Sequence, residues 1–352
     1  MIPDVTRSSV PTLEDVAKRA RVSRATVSRV INSPDLVSKP VLKRTRAAIA
    51  ELRYVPNRAA RALTGTKTDM VGLMFFEDFR SLYENPFWGE LINDLYIEFA
   101  KSSLNCWFIA RPSTEFRTPQ SDEGFSSYAV ENYLLSGYVD GLIFLGQGHR
   151  GELEATLGAE HIPIVMFGRP QVENPTISYV APDNVRGARL AVEYLAHSKQ
   201  RQHIATIAGL KGTLVAEDRL QGYKLGLKNC GLRVSRSLIA EGDFTRVGGE
   251  RAMNVLLDRD QPMDAVFVAN DLMAAGALDA IKARGLRVPQ DISVIGSDNS
   301  PIAETTSPRL TSINQPFDQM AHELVTGIER AIKGQVHQSV VFGVDVMERE
   351  SA

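Results

Sequence analysis

Thr12-Leu13-Glu14-Asp15-Val16-Ala17 and, four residues on, Val22-Ser23-Arg24-Ala25-Thr26-Val27-Ser28-Arg29-Val30-Ile31-Asn32 decide how the N-terminal end is read. Thr12 followed by Asp15 is a variant of the capping box that opens helices. Leu13, Val16, Ala17 and Ala20 then recur at helical spacing, which gives a first helix one apolar face. Arg21-Val22 leaves room only for a tight turn. Ser23 is placed to cap a second helix. Its inward face is Val27, Val30 and Ile31; its outward face is Arg24, Ala25, Thr26, Ser28, Arg29 and Asn32. Asn32-Ser33-Pro34 stops it. Ser38 is placed to cap a third helix, with Pro40 in its first turn and Val41, Ile49 and Leu52 inward. Two short helices across a tight turn, braced by a third, form a helix-turn-helix. The outward face of the second helix is small and basic, which suits a DNA major groove. Arginine donates twice to guanine O6 and N7, and serine and threonine hold phosphates.

Charge supports this reading. Over 352 residues the formal net charge is −2. Residues 1–63, however, carry 13 Lys/Arg against 5 Asp/Glu, a net of +8, and residues 64–352 carry 27 against 37, a net of −10. A basic module on an acidic body points one end of the chain at a polyanion. Next, Pro56-Asn57 opens a segment that runs from Arg58 to Leu63 and closes at Thr64-Gly65. So few residues do not hold a helix in water unaided, so this segment is expected to fold only against a partner.

From Thr68 onward short apolar runs alternate with helical stretches. The expected strands are 70–76, 105–110, 139–145, 162–167, 203–208, 265–268 and 292–296. The expected helices include 87–102, 184–196, 217–229, 248–257, 271–283 and 317–333. This alternation predicts parallel α/β sheets in two lobes, with ligands at the carboxyl ends of strands. Arg169, Arg219, Phe244, Asn270 and Asp298 fall at or after such ends, and Phe87 opens a helix. Arginine, amide, carboxylate and aromatic ring are the groups a sugar site uses. Taken singly, Asn270 or Asp271 reads first as a helix cap and Arg219 as a surface ion-pair partner; their repetition at strand ends is what points to a site.

Both halves resemble the lactose-repressor family of transcription regulators. The headpiece match runs through the two stretches quoted above and on through Tyr54-Val55-Pro56-Asn57-Arg58-Ala59-Ala60-Arg61-Ala62-Leu63. The body match comprises Asn85-Pro86-Phe87, Asp183-Asn184, Arg219-Leu220-Gln221-Gly222-Tyr223, 268–274, Gly296-Ser297-Asp298-Asn299 and Thr311-Ser312-Ile313-Asn314-Gln315-Pro316. The resemblance implies an all-α headpiece at 1–56, a hinge helix at 57–65, and a two-lobed periplasmic-binding-protein-like domain at 69–352. Within that domain it implies an N-lobe of about 69–180 plus 315–334 and a C-lobe of about 183–312 plus 335–352. It implies DNA contacts from Thr12, Ser23, Arg24, Ala25, Thr26, Ser28, Arg29, Asn32, Tyr54, Asn57, Ala60 and Leu63. Leu63 falls where family members pry open a base step in the minor groove. The effector cleft is implied at Phe87, Arg169, Arg219, Phe244, Asn270 and Asp298. The implied function is a repressor of carbohydrate-use genes that binds operator DNA as a homodimer and responds to a mono- or disaccharide, with no cofactor. Two departures stand out: Gln200-Arg201 replaces the family's Gly-His, and Asn299 replaces a second acidic residue. No leucine heptad tail follows Glu350, so a tetramer is not implied.

Other readings are weaker. Gly146-Gln147-Gly148-His149-Arg150-Gly151 fits a dinucleotide-binding pattern after a strand, but Arg169 stands near where the ribose carboxylate belongs. A P-loop, a G-x-S-x-G elbow and an H-E-x-x-H are absent from the sequence, so an enzyme is not expected. A transporter's solute-binding protein would fit the body but not the basic headpiece, and Met1–Pro11 lacks a signal-peptide pattern. A purine or a partner protein as effector is compatible with the same fold. No run of 18 apolar residues predicts a membrane span. Cys106 and Cys230 have no metal or redox spacing, and a cytoplasmic location is expected.

Overall fold

The computed structural model describes residues 11–54, 67–77, 79–110, 137–146, 162–170, 177–259 and 261–352. These fall into two compact units divided between Thr68 and Asp69.

Among the described residues the first unit holds three α-helices: α1 (Leu13–Ala20), α2 (Arg24–Asn32) and α3 (Lys39–Leu52). The capping box forms as its sequence implies. Asp15 N–H donates to Thr12 Oγ1 at 3.3 Å, and Thr12 N–H donates to Asp15 Oδ2 at 2.9 Å. Ser23 caps α2 by accepting from Thr26 N–H at 3.1 Å. Ser38 precedes α3 but makes no side-chain cap; the proline in the first turn removes one of the N–H groups a cap would serve. Val16, Ala17, Ala20, Val27, Ala48 and Tyr54 form the core. Tethers from α3 reinforce it. Arg44 Nε donates to Ala20 O at 2.9 Å, and Arg19 pairs with Glu51 at 2.6 Å.

The second unit holds two six-stranded sheets. In the first, β1 (Met70–Phe75), β2 (Asn105–Ala110), β3 (Gly141–Leu145), β4 (Ile164–Phe167), β5 (Ile177–Pro182) and β11 (Val340–Phe342) lie in the order β11-β5-β4-β3-β1-β2. All neighbours are parallel. In the second, β6 (Ile204–Ala208), β7 (Ile239–Glu241), β8 (Ala265–Val268), β9 (Ser293–Asp298), β10 (Thr311–Asn314) and β12 (Asp345–Met347) lie in the order β12-β10-β9-β8-β6-β7. Only β12 runs antiparallel to its neighbour. β3, β4, β6 and β8 are buried along their whole length, as apolar strands covered on both faces should be.

The chain crosses between the sheets three times: after β5, after β10, and between β11 and β12. The last crossing corrects the expected lobe boundary. Residues 335–352 were expected in the C-lobe, yet Val340–Phe342 pairs with Val180–Pro182 in the first sheet. The crossing therefore falls at 343–344. An edge strand of three residues carries no periodicity by which to place it.

The first sheet is covered by α4 (Pro86–Lys101) and α9 (Phe317–Ile332). Leu91, Leu95 and Phe99 meet Met320, Leu324 and Ile328 in one buried cluster. Around the second sheet lie α5 (Asn184–Glu193), α6 (Leu214–Asn229), α7 (Arg246–Leu257) and α8 (Asp271–Ala283). The α5–α6 contact is set by Gly222, where an added Cβ would stand 2.2 Å from Val185 O. This closeness brings Arg219, one turn earlier on α6, within reach of Asn184. The departure at Gln200 is accommodated directly: it sits at φ 55°, the left-handed turn that a glycine occupies without strain. Cys106 and Cys230 are free thiols.

Candidate functional site

The headpiece presents α2 outward. Arg24, Ala25 and Arg29 are exposed, and Thr26 and Ser28 half-buried. Thr12 and Ser23 are exposed at the N-termini of α1 and α2, their hydroxyls held by local bonds: Thr12 Oγ1 donates to Asp15 Oδ2 at 2.7 Å, and the Ser23 and Thr26 hydroxyls lie 2.8 Å apart. Arg24 pairs with Glu14 on α1 at 2.9 Å. Asn32 ends α2. Tyr54 is only 8% exposed and packs its side chain in the headpiece core. Asn57, Ala60 and Leu63 lie outside the described residues, as does the glycine-rich run beyond Gly146.

Between the two sheets of the second unit lies a cavity of about 1290 Å³. All six expected effector residues, Phe87, Arg169, Arg219, Phe244, Asn270 and Asp298, line it. Its polar centre is Arg219, only 5% exposed. Arg219 lies in the second turn of α6, which begins at Leu214, rather than at the helix start as its sequence position suggests. Its Nη2 donates to Asp298 Oδ1 at 2.9 Å, its Nε to Asn184 Oδ1 at 2.9 Å, and its Nη1 to Ala269 O. Gln315 Nε2 donates to the same Asp298 Oδ1 at 2.7 Å. Both bonds to Asp298 land on Oδ1, so Oδ2 remains to accept from a ligand. Asn270 serves as both cap and lining group. Its Oδ1 accepts from Met273 N–H at 2.9 Å, and its Nδ2 donates to Phe244 O at 3.2 Å.

Below this cluster Asp271 is fully buried. It accepts from Ser300 N–H at 2.8 Å and from Ser312 Oγ at 2.5 Å, tying α8 to the loop after β9 and to β10. Burial pushes its carboxyl up, and the nearby Asp298 charge pushes it further. Burial also raises Asp298, but Arg219 opposes that rise. The backbone is strained here: Phe244, Asp298 and Asn299 have φ of 66°, 115° and 53°. Non-glycine residues hold such angles where the surroundings enforce them, commonly at ligand sites. Phe244 is pressed against Gly209, where an added Cβ would stand 2.1 Å from its ring. Asn299 is fixed through its amide, which donates to Asn314 Oδ1 at 2.9 Å and accepts from Arg349 at 2.7 Å.

The opposite wall is aromatic. Phe87 stands edge-on to Trp88 at 4.8 Å between centroids and lies 5.9 Å from Phe167. From that wall Arg169, which follows β4, reaches across to Asp218 on α6 at 2.5 Å. This ion pair spans the cleft. A paired acid and amide cluster facing aromatic rings gives hydroxyl acceptors and donors on one side and apolar stacking surface on the other.

The chain matches known proteins over most of its length. The family of bacterial regulatory proteins, lacI family, matches residues 12–57, and the periplasmic binding protein-like domain matches residues 192–352. The HTH-type transcriptional regulator CelR of Thermobifida fusca is 38% identical over 344 residues, covering 97% of this chain and 98% of CelR. The chain belongs to the lacI family. This lacI-family protein is a DNA-binding transcription regulator, and its relatives are regulators rather than enzymes. Its structure is similar to that of a transcriptional regulator CelR–cellobiose complex, with a TM-score of 0.73 and 35% identity over 97% of this chain and 100% of that one. It is also similar to the lac repressor dimer bound to operator and the anti-inducer ONPF, with a TM-score of 0.77 and 27% identity over 97% and 98%. No helix among the described residues is long and apolar enough to cross a membrane.

The sequence reading missed Asp218, Gln315 and Asn184 as members of the cleft cluster. Asn184 and Gln315 lie inside stretches that carried the family resemblance, which was the available signal. Asp218 had none, because its partner is 49 residues away.

Proposed function

We propose that this regulator represses genes of carbohydrate use, binding a two-fold operator as a homodimer in the cytoplasm and releasing it when a neutral saccharide of disaccharide size enters the cleft. The observation that carries the reading is the Arg219–Asp298–Gln315 cluster facing the Phe87–Trp88–Phe167 wall. The cavity of about 1290 Å³ is large enough for a disaccharide. Arg169 and Arg219 are each matched by a carboxylate. A phosphorylated sugar reaching either arginine would have to displace its carboxylate, so a neutral ligand fits better beside them. A regulator CelR that shares the fold at 35% identity has been solved with cellobiose, and that makes a cello-disaccharide the first candidate here.

In this proposal Phe87, Arg169, Arg219, Phe244, Asn270 and Asp298 contact the sugar. Thr12, Ser23, Arg24, Ala25, Thr26, Ser28, Arg29 and Asn32 contact DNA. Residues 57–65 act as the hinge, in which Asn57 caps, Ala60 allows close approach to a second copy, and Leu63 wedges a base step. Two-fold protein symmetry then asks for matched half-sites. The sugar must bind the DNA-free state more tightly, by a coupling of about 1–3 kcal/mol. The test is a gel shift of the full chain on its own upstream region with cellobiose, maltose, lactose and ribose. Release by one sugar is expected. Specific DNA binding that no sugar alters would refute the carbohydrate reading and bring purines forward. No specific binding at moderate salt would refute the operator role.

A further inference from the structure

The recognition helix begins with a cation that its own helix does not favour. Arg24 is the first residue of α2, where the helix dipole is positive and acidic side chains are stabilising. No acidic residue occupies the first turn of α2. The compensating charge comes from α1. Glu14 Oε1 meets Arg24 Nη1 at 2.9 Å, with the two side chains 51% and 74% exposed. An ion pair so open to water adds little to stability, about 0–1 kcal/mol. Holding the headpiece together therefore does not account for it.

The backbone that carries Glu14 is held firmly. It sits in the first turn of α1, which the reciprocal Thr12–Asp15 capping box locks. α1 in turn is bound to α3 through Arg19–Glu51 and Arg44–Ala20 O. A carboxylate on a fixed turn thus grips one terminal nitrogen of a long, rotamer-rich side chain. The rest of the guanidinium fork stays exposed on the outward face of α2.

We propose that Glu14 is a positioning residue for sequence readout, orienting Arg24 so that its free N–H groups meet the edge of one guanine in each operator half-site. Pre-orientation removes part of the rotamer entropy that Arg24 loses on docking. The ion pair also strengthens as water leaves the interface, because the local dielectric falls. Glu14 has an opposite effect on the backbone: its negative charge close to the duplex repels phosphates. The two effects separate on different DNA. Orientation matters only where the guanine is present, whereas repulsion acts on any sequence.

This separation defines the test. Full-length wild type, Glu14→Ala, Glu14→Gln and Arg24→Ala are each used to select sites from a randomised duplex library, and their affinities for the selected duplex and for random duplex are measured. Wild type is expected to prefer guanine at one position of each half-site by about tenfold, within the range for a bidentate base contact. Arg24→Ala should erase that preference. Glu14→Ala should cut it several-fold at that position alone, while random duplex is bound as tightly as by wild type or more tightly. Glu14→Gln keeps an acceptor for Arg24 Nη1 and should restore most of the preference. A Glu14→Ala protein with the wild-type preference, or one weakened equally on every duplex, overturns the positioning role. Retention of the preference by Arg24→Ala overturns the readout by Arg24 on which it depends. Thermal unfolding of Glu14→Ala close to that of wild type excludes a folding defect as the cause of a lost preference; a large drop in unfolding temperature overturns the proposal in favour of a structural role.

Discussion

Replacing Arg219 with methionine probes the centre of the cleft. The guanidinium is buried and makes three hydrogen bonds, one of them to a buried carboxylate. Methionine fills similar volume but leaves Asp298 with Gln315 as its only partner. Removing one member of a buried ion pair costs about 3–5 kcal/mol, because the other charge stays desolvated. Asp298 has a partial escape. Burial already pushes its carboxyl up, and without Arg219 it takes a proton more readily, so the loss should be smaller at pH 5 than at pH 8. Domains somewhat smaller than residues 69–352 shift by about 2–4 °C per kcal/mol, so the melting point should fall by roughly 6–20 °C. The chain's only two tryptophans, Trp88 and Trp107, both lie in this unit, so their fluorescence follows its unfolding. The double variant Arg219→Met/Asp298→Leu should recover most of the stability and none of the sugar binding, since well-packed apolar groups replace buried ion pairs at little cost. A single variant as stable as wild type, or a double variant no better than the single one, would refute the claim that this pair is mutually dependent.

Three further outcomes follow from the same geometry. Arg29→Ala should cost about 1–3 kcal/mol of operator affinity and much less on random duplex, measured by competition gel shift; equal losses would reduce Arg29 to a phosphate contact. Asp218→Asn releases Arg169 from its cross-cleft partner and should weaken sugar binding a few-fold at about 0.05 M salt but hardly at all at about 0.5 M, because Arg169 is 42% exposed and the attraction is screened. A calorimetric loss identical at both salts would contradict an electrostatic clasp. Asp271 has its folded pKa raised, so its contribution to stability is fully present below about pH 4 and is lost as pH rises through its folded value of about 8. Asp271→Asn should therefore flatten the decline in urea midpoint between pH 5 and 8, and parallel profiles for the two proteins would exclude this titration.

The elements that were legible in the sequence are those whose signals are local. Thr12 with Asp15, and Ser23 with Thr26, made the caps their spacing implies, because a cap is settled within one turn. Fully buried strands such as Gly141–Leu145 and Ala265–Val268 stood out as unbroken apolar runs. What stayed hidden depends on partners far along the chain. Val340–Phe342 is a strand because Val180–Pro182 accepts it. The packing of Tyr54 into the headpiece core was likewise not read, because its core partners lie on α1, α2 and α3. In the cleft, six of the lining residues were named by type and place. The bonds that fix them were not, since Arg219 joins residues 35, 50 and 79 positions away.

The central claim is that cleft and headpiece share one equilibrium. Linkage makes this reciprocal: the factor by which a sugar weakens operator binding equals the factor by which operator weakens sugar binding. The decisive measurement is calorimetric titration of cellobiose into the free protein and into the protein saturated with its selected operator duplex, alongside operator affinity with and without saturating cellobiose. The account predicts two equal factors, each in the range of about 5–150-fold. Cellobiose that binds equally well with and without operator would contradict it.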